Sequence, residues 1–437
     1  MFDLLIKGGT CVTPSGRVQQ DVGVRDGTVV ATGALDASQA KEIFDAKGLH
    51  VLPGVVDPQC HFREPGLTHK EDLGSGSASA ALGGVTTFFE MPNTHPNTDS
   101  AEQLAWKVQR ARETSVIDFA FFIGATNENA DTLGSLETLE GCAGVKMFCG
   151  SSTGTLLVDK PENQRRVMKS GRRRIACHSE DEARLQARKG LFAGQGPTAH
   201  PEWRDEACAV LSTTSLLALA RETRRRLHVL HVTTQGELPL LEANKELVTF
   251  EVCPQHLTLA APECYERLGT LAQMNPPIRD ARHQAALWDA IRSGLVDVLG
   301  SDHAPHTLEE KQKPWPASPS GMPGVQTLVP LMLNHVNEGR LTLERFVDLT
   351  SAGPARVFGM LRKGRLAPGY DADFTLVDLA AQRTITNDWS KSRCGWTPFD
   401  GMRVTGWPMA TISRGRVVMR DGALVGPPMG RPVTFER

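Results

Sequence analysis

The stretch Asp57–Gly66 reads DPQCHFREPG, directly after the apolar run Val51-Leu52-Pro53-Gly54-Val55-Val56. In an extended chain the side chains alternate faces, so Gln59, His61 and Arg63 project to one side. An amide, an imidazole and a guanidinium therefore surround one point. Further polar groups stand where later apolar runs end: Asn93, His178, His231, His256, and Asp302 with His303 and His306. Lys146 lies between apolar residues in GVKMF. A lone histidine or lysine in any one of these places is usually a satisfied core or rim residue. Several imidazoles and a carboxylate arriving together from different strands are instead a ligand set suited to Zn²⁺ or a similar divalent ion. Lys146 sits badly in that set, because an ammonium is repelled by a dication and a buried lysine is costly. Read as an unmodified side chain, it either turns to solvent at a strand end or pairs with Asp302.

The elements that must position these groups alternate in type. Strand-like runs occur at Leu52–Val56, Gly84–Glu90, Phe119–Gly124, Gly144–Phe148, Arg174–His178, Leu227–His231, Thr249–Pro254 and Val296–Gly300. Helical stretches separate them, such as Ser100–Arg112, where Ser100 and Gln103 have capping-box spacing. This alternation means βαβ units and a parallel sheet, and eight strands close a (β/α)8 barrel of the TIM type. An open doubly wound sheet competes with it, but no G-x-G-x-x-G follows the first run and there is no P-loop. Barrel active sites form at the C-terminal ends of the strands, where the polar residues above fall. The chain ends differ in texture from the middle. Short β-like runs broken by turns occupy the first fifty residues (Leu4–Lys7, Asp21–Val24, Val29–Thr32) and recur late (Phe374–Asp378, Ala410–Ser413, Arg416–Met419). Residues 1–50 and 361–437 are therefore expected to build one small β-sandwich domain beside a barrel spanning 51–360.

Composition narrows the partners. With 437 residues, 40% of them hydrophobic, the chain can bury a large core, and a net charge of −2 provides no basic field for nucleic acid or an anionic membrane. A small molecule is the expected partner. The nine cysteines are odd in number, lack any C-x-x-C pair and mostly lie in apolar runs, so they read as reduced buried thiols. No stretch is apolar enough for a signal peptide or a membrane span, which makes the cytoplasm the expected compartment. The runs Arg172–Arg174 and Arg224–Arg226 read as helix ends, where cations complement the dipole. The stretch Lys313–Pro323 reads as an ordered loop over the site.

With these residues in view, the chain resembles the cyclic amidohydrolases and, within them, the dihydroorotases, nearly from end to end. The segments that carry the resemblance are VLPGVVDPQCHFREPGLTHKED, FFEMPNTHPNT, GVKMFCGSSTG, ACHSEDE, HVLHVTT, QMNPPIRD, VLGSDHAPHTLEEK, SPSGMPG, TSAGPARVFG and KSRCGWTPFDG. The resemblance implies reversible hydrolysis of L-dihydroorotate to N-carbamoyl-L-aspartate, in pyrimidine synthesis. It implies two zinc ions, with Lys146 carboxylated to an anionic carbamate that bridges them, which removes the conflict of an ammonium among ligands. His61 and Asp302 would hold one metal, His178 and His231 the other, and Asp302 would carry the proton from water to the leaving nitrogen. Arg63 and Asn93, helped by His306, would bind the substrate carboxylate, while Asn275 and backbone near Gly321 would read the ring. His228 matches a family position that is not a ligand. Gln59 departs from the usual His-x-His, as in a subset of similar sequences, and Gln255 stands where many relatives have a histidine. Two rivals are implied as well. One is a dihydropyrimidinase, hydantoinase or allantoinase, which generally lacks an Arg at the position of Arg63. The other is a non-catalytic subunit scaffolding aspartate transcarbamoylase, a kind of relative that typically loses several ligands. A homo-oligomer is compatible with all of these.

Overall fold

The computed structural model describes residues 1–152, 154–192 and 194–436. Its centre is a ring of parallel strands: β1 (Val55–Cys60), β2 (Val85–Glu90), β3 (Asp118–Gly124), β4 (Cys142–Phe148), β5 (Ile175–His178), β6 (Leu227–Val229), β7 (Val248–Val252) and β8 (Val298–Leu299). Each pairs in parallel with the next. The ring closes just past the strand ends, where Cys60 bridges His303 and the His61 N–H donates to His303 O at 2.7 Å. The expected (β/α)8 barrel is thus the observed one. Strands β1 to β4 are buried along their whole length, which is why they read as near-continuous apolar runs. Outside them Phe62, Phe88, Phe119 and Phe121 stack in succession, with centroids 4.5, 6.4 and 5.5 Å apart. Each such ring contributes about 1.5–3 kcal/mol by burial.

Helix starts follow the local signals. Leu73–Leu82 begins at Asp72, whose carboxylate accepts from Ser75 N while Ser75 Oγ accepts from Asp72 N. Ala101–Thr114 begins at Ser100, whose Oγ accepts from Gln103 N; this is one half of the capping box expected there.

Two sheets built from both chain ends form the small domain. One has the order Thr28–Gly33, Asp21–Arg25, Phe2–Lys7, Ala40–Asp45, and the other runs from Ala423–Leu424 through Arg416–Arg420, Arg403–Ser413, Phe374–Thr384, His50–Pro53 and Thr10–Thr13 to Gly16–Gln19. Leu4, Ile6, Val22, Phe44, Val51, Phe374 and Ile412 share their core. The first barrel strand therefore begins at Val55, not at Leu52. Leu52 pairs with Thr375 in the terminal sheet, and Gly54 divides the run: a Cβ there would lie 2.3 Å from Thr86 Oγ1 and 2.7 Å from the Asp373 Cβ.

Lys363 ties this domain to the barrel. Its buried ammonium lies 2.6 Å from Asp118 at the start of β3, and 3.2 and 2.5 Å from Asp371 and Asp373. The three carboxylates surround a cation that the chain itself supplies, so the cluster is an ion-pair clamp. All nine cysteines are buried and free, as their settings suggested. Among the described residues no helix is long and apolar enough to cross a membrane.

Candidate active site

Gln59, near the end of β1, and His61, just past it, both reach Asp302, which follows β8. His61 Nε2 lies 3.3 Å from Asp302 Oδ1, and Gln59 Nε2 donates to the same oxygen at 3.1 Å. His61 Nδ1 meets Asn93 Oδ1 at 2.7 Å. An amide oxygen only accepts, so the ring hydrogen belongs on Nδ1 and Nε2 presents a lone pair to the carboxylate. Two acceptors that close together need a cation or a proton between them. Across the pocket His178 Nε2 donates to Glu180 at 2.8 Å, so its Nδ1 accepts from His231 Nε2 at 3.1 Å, and the lone pair of His231 falls on Nδ1, which has no partner among the described residues.

Lys146, on β4, is 1% exposed and makes no ion pair among the described residues; its Nζ rests 4.4 Å from the Phe148 ring. It neither turns to solvent nor pairs with Asp302. Burial pulls its pKa down to about 8, against the pull of Asp302 and Glu251, so a neutral amine is far more accessible near neutral pH than for an exposed lysine. Burial likewise holds His61, His178 and His231 below the usual imidazole range, with Lys146 adding to the effect. Neutral imidazoles and a neutral amine are the forms that bind metal and take up CO₂. Asp302 moves the other way, pushed up to about 7 by burial although Lys146 and His178 oppose the shift.

Arg63 is 1% exposed, yet its Nη1 has no hydrogen-bond partner among the described residues. Its Nε donates to Pro305 O at 3.2 Å and its Nη2 lies 3.3 Å from His306 Nε2. A rim salt bridge is not formed: Glu64 is taken by Arg110 at 2.7 Å, and Asp72 pairs with Arg393 at 2.5 Å. Arg63, His231 and Asp302 all have positive φ, at 64°, 37° and 43°. Left-handed backbone in residues other than glycine costs roughly 1–3 kcal/mol each and clusters at functional sites.

One pocket collects the expected groups. Its wall includes Arg63, Asn93, Lys146, Asn275, Asp302, Gly321 and the three imidazoles of His61, His178 and His231. His306 stands behind Arg63, also 3.2 Å from Lys70 Nζ. Gly321 has φ +138°, and a Cβ there would lie 2.4 Å from Ala304 O, so only glycine lets this loop approach. Asn275 Oδ1 accepts from His200 Nε2 at 3.0 Å and its Nδ2 reaches Ser152 Oγ at 3.4 Å.

Other sequence-flagged groups lie elsewhere. His228 is sealed between Thr249 Oγ1 at 2.9 Å and Glu251 at 3.3 Å, His256 donates to Pro276 O at 3.0 Å, and His303 Nδ1 accepts from Gly324 N at 3.1 Å. The arginine runs do more than end helices. Arg173 and Arg174 donate to strand-start carbonyls, Cys142 O at 2.6 Å and Leu227 O at 2.8 Å, and Arg225 pairs with Glu137 at 2.6 Å. Sequence reasoning missed the pocket residues Phe148, Ser152 and Ser320. The CGSSTG stretch after β4 and the loop expected over the site were the signals for two of them.

Comparison with known proteins agrees with this geometry. Residues 48–151 match the family model described as dihydro-orotase-like, and residues 228–418 match that of the amidohydrolase family. A dihydroorotase of Methanothermobacter thermautotrophicus is 36% identical over 97% of this chain and 96% of its own length. One of Bacillus subtilis is 34% identical over 96% of this chain and 99% of its own. Among solved structures, the L-hydantoinase (dihydropyrimidinase) of Arthrobacter aurescens superposes with a TM-score of 0.95 at 31% identity, covering 99% of this chain and 100% of that one.

Proposed function

From membership of the dihydroorotase family of cyclic amidohydrolases, to which this chain belongs, we infer that it interconverts L-dihydroorotate and N-carbamoyl-L-aspartate in pyrimidine synthesis. The observation that carries this reading is Arg63. A buried guanidinium nitrogen without a partner, in the wall of a pocket that also holds three imidazoles, a lysine and a carboxylate, suits a substrate with a carboxylate beside its cyclic amide.

The facing acceptors of His61 and Asp302, the adjoining imidazoles of His178 and His231, and buried Lys146 are a donor set that fits two divalent ions. Zinc is the inferred metal; His61 and Asp302 would hold one ion and His178 and His231 the other, and Lys146, if carboxylated, would supply a further anionic ligand. When bound, the metals polarise a carbonyl and lower the pKa of water. The protein's own residues do the rest. Asp302, the carboxylate that both His61 and Gln59 reach, would carry the proton from water to the leaving ring nitrogen. Asn93 fixes the His61 ring through Nδ1 and borders the carboxylate position with Arg63 and His306. Asn275 and the backbone near Gly321 hold the ring.

The likeness to an L-hydantoinase favours a second reading, hydrolysis of a ring that lacks a carboxylate. Metal analysis of the purified protein, followed by ring-opening assays on dihydroorotate and hydantoin, separates the two. Two metal equivalents and turnover of dihydroorotate are expected. Turnover of hydantoin alone would transfer the assignment to the second reading, and turnover of neither would favour a scaffolding subunit.

A further inference from the structure

Glu180 lies two residues past His178 and is fully buried, and the reaction inferred above makes no use of it. His178 Nε2 donates to its Oε2 at 2.8 Å. Arg204 grips both oxygens, with Nε on Oε1 at 3.0 Å and Nη2 on Oε2. Arg204 is itself anchored, its carbonyl accepting from Arg279 Nη1 at 3.0 Å and its Nη2 donating to Ser151 O at 2.8 Å. Ser151 is held from its other side by Glu182, which accepts from both its N–H and its hydroxyl at 2.6 Å. The next residue, Ser152, borders the pocket.

An ionised carboxylate can only accept, so the hydrogen of His178 must be on Nε2 and the lone pair on Nδ1. We propose that Glu180, clamped by Arg204, is a positioning residue: it fixes the tautomer and ring plane of His178 so that Nδ1 presents its lone pair to a divalent cation shared with His231. Through Ser151 the same clamp also holds the pocket wall at Ser152. The proposal rests on the metal reading given above. A plainer role for Glu180 is a buried ion pair that serves stability alone. The molecule contains a control for that role in Glu137–Arg225, a pair of equal burial and 2.6 Å separation at the other end of the barrel.

The test combines a metal-free and a metal-loaded readout. In the metal-free wild type, ¹⁵N NMR of labelled histidines should show His178 with its hydrogen on Nε2; a hydrogen on Nδ1 would overturn the proposal. In the metal-loaded protein, Glu180→Gln should bind one of the two metal equivalents about 10- to 100-fold more weakly, read as its loss at lower chelator concentration. Glu137→Gln should lose metal as the wild type does. Because a lone buried Arg204 threatens folding, the double change Glu180→Met/Arg204→Met, which removes both charges, should show the same selective weakening. Wild-type retention in both Glu180 variants, or equal weakening in Glu137→Gln, would overturn positioning. A wild type that holds no divalent metal would overturn the metal reading instead, and the tautomer measurement would still decide whether Glu180 sets the ring.

Discussion

At the N-terminal end of the barrel, Arg173 donates to the carbonyls of Glu137 and Cys142, Arg174 to those of Leu227, Leu247 and Val357, and Arg225 pairs with Glu137. Apart from Arg225 Nε, the buried donors of these three side chains meet acceptors. At the C-terminal end, lone pair faces lone pair at His61–Asp302, while Gln59 Oε1, Arg63 Nη1 and His231 Nδ1 have no partner among the described residues. Both ends gather charge from several strands, and one saturates it while the other leaves it open. A buried polar atom without a partner costs about 1–3 kcal/mol, so the open end is held at a cost in stability that a bound ligand offsets. Charge that is already answered serves the fold, and charge that is not serves an absent partner.

Substitutions at the two ends should therefore separate cleanly. The largest effect is expected for Lys146→Ala, which should abolish both metal binding and dihydroorotate turnover, measured by elemental analysis and a ring-opening assay; a variant that retains both metals would show that Lys146 is no ligand. Glu137→Gln at the closed end should lower unfolding free energy by about 3–5 kcal/mol, read by urea titration, while the folded fraction keeps wild-type kcat and KM. Loss of turnover in its folded fraction would blur the contrast. Arg63→Lys keeps the charge and loses the planar fork, so kcat/KM for dihydroorotate should drop about 10- to 100-fold at normal metal content, the equivalent of one or two charge-assisted hydrogen bonds. Indifference to that change would remove Arg63 from substrate recognition. The smallest effect belongs to Gln59→His. Its amide is already engaged on Asp302 at 3.1 Å, so an imidazole there should slow chelator removal of the metal beside His61 by a few-fold. Simultaneous release of both metals, unchanged by the substitution, would show that Gln59 has no bearing on them.

The barrel and the groups of the pocket were legible because their signals are local. The spacing in DPQCHFREPG grouped Gln59, His61 and Arg63, although the strand ends at Cys60 and Arg63 reaches the pocket through left-handed backbone and not by alternation, and apolar runs ending in polar residues marked the other strand ends. The division at Gly54 was hidden, because Val51–Pro53 and Val55–Val56 are equally apolar and only the crowding by Thr86 and Asp373 distinguishes them. Glu180 and Arg204 were hidden for a different reason. They are 24 residues apart, and no periodicity joins a strand end to the residue after the short helix His200–Trp203. The satisfied arginines at the barrel floor look, in sequence, like any basic run, since their acceptors are backbone carbonyls of other strands.

The most direct test is the ratio of kcat/KM for dihydroorotate and dihydrouracil on the metal-loaded wild type. The two rings differ by the carboxylate that Arg63 is inferred to bind. A buried donor left without its acceptor should disfavour dihydrouracil by about 10⁴-fold. Turnover of dihydrouracil as efficient as that of dihydroorotate would contradict the reading of the open end as a carboxylate site.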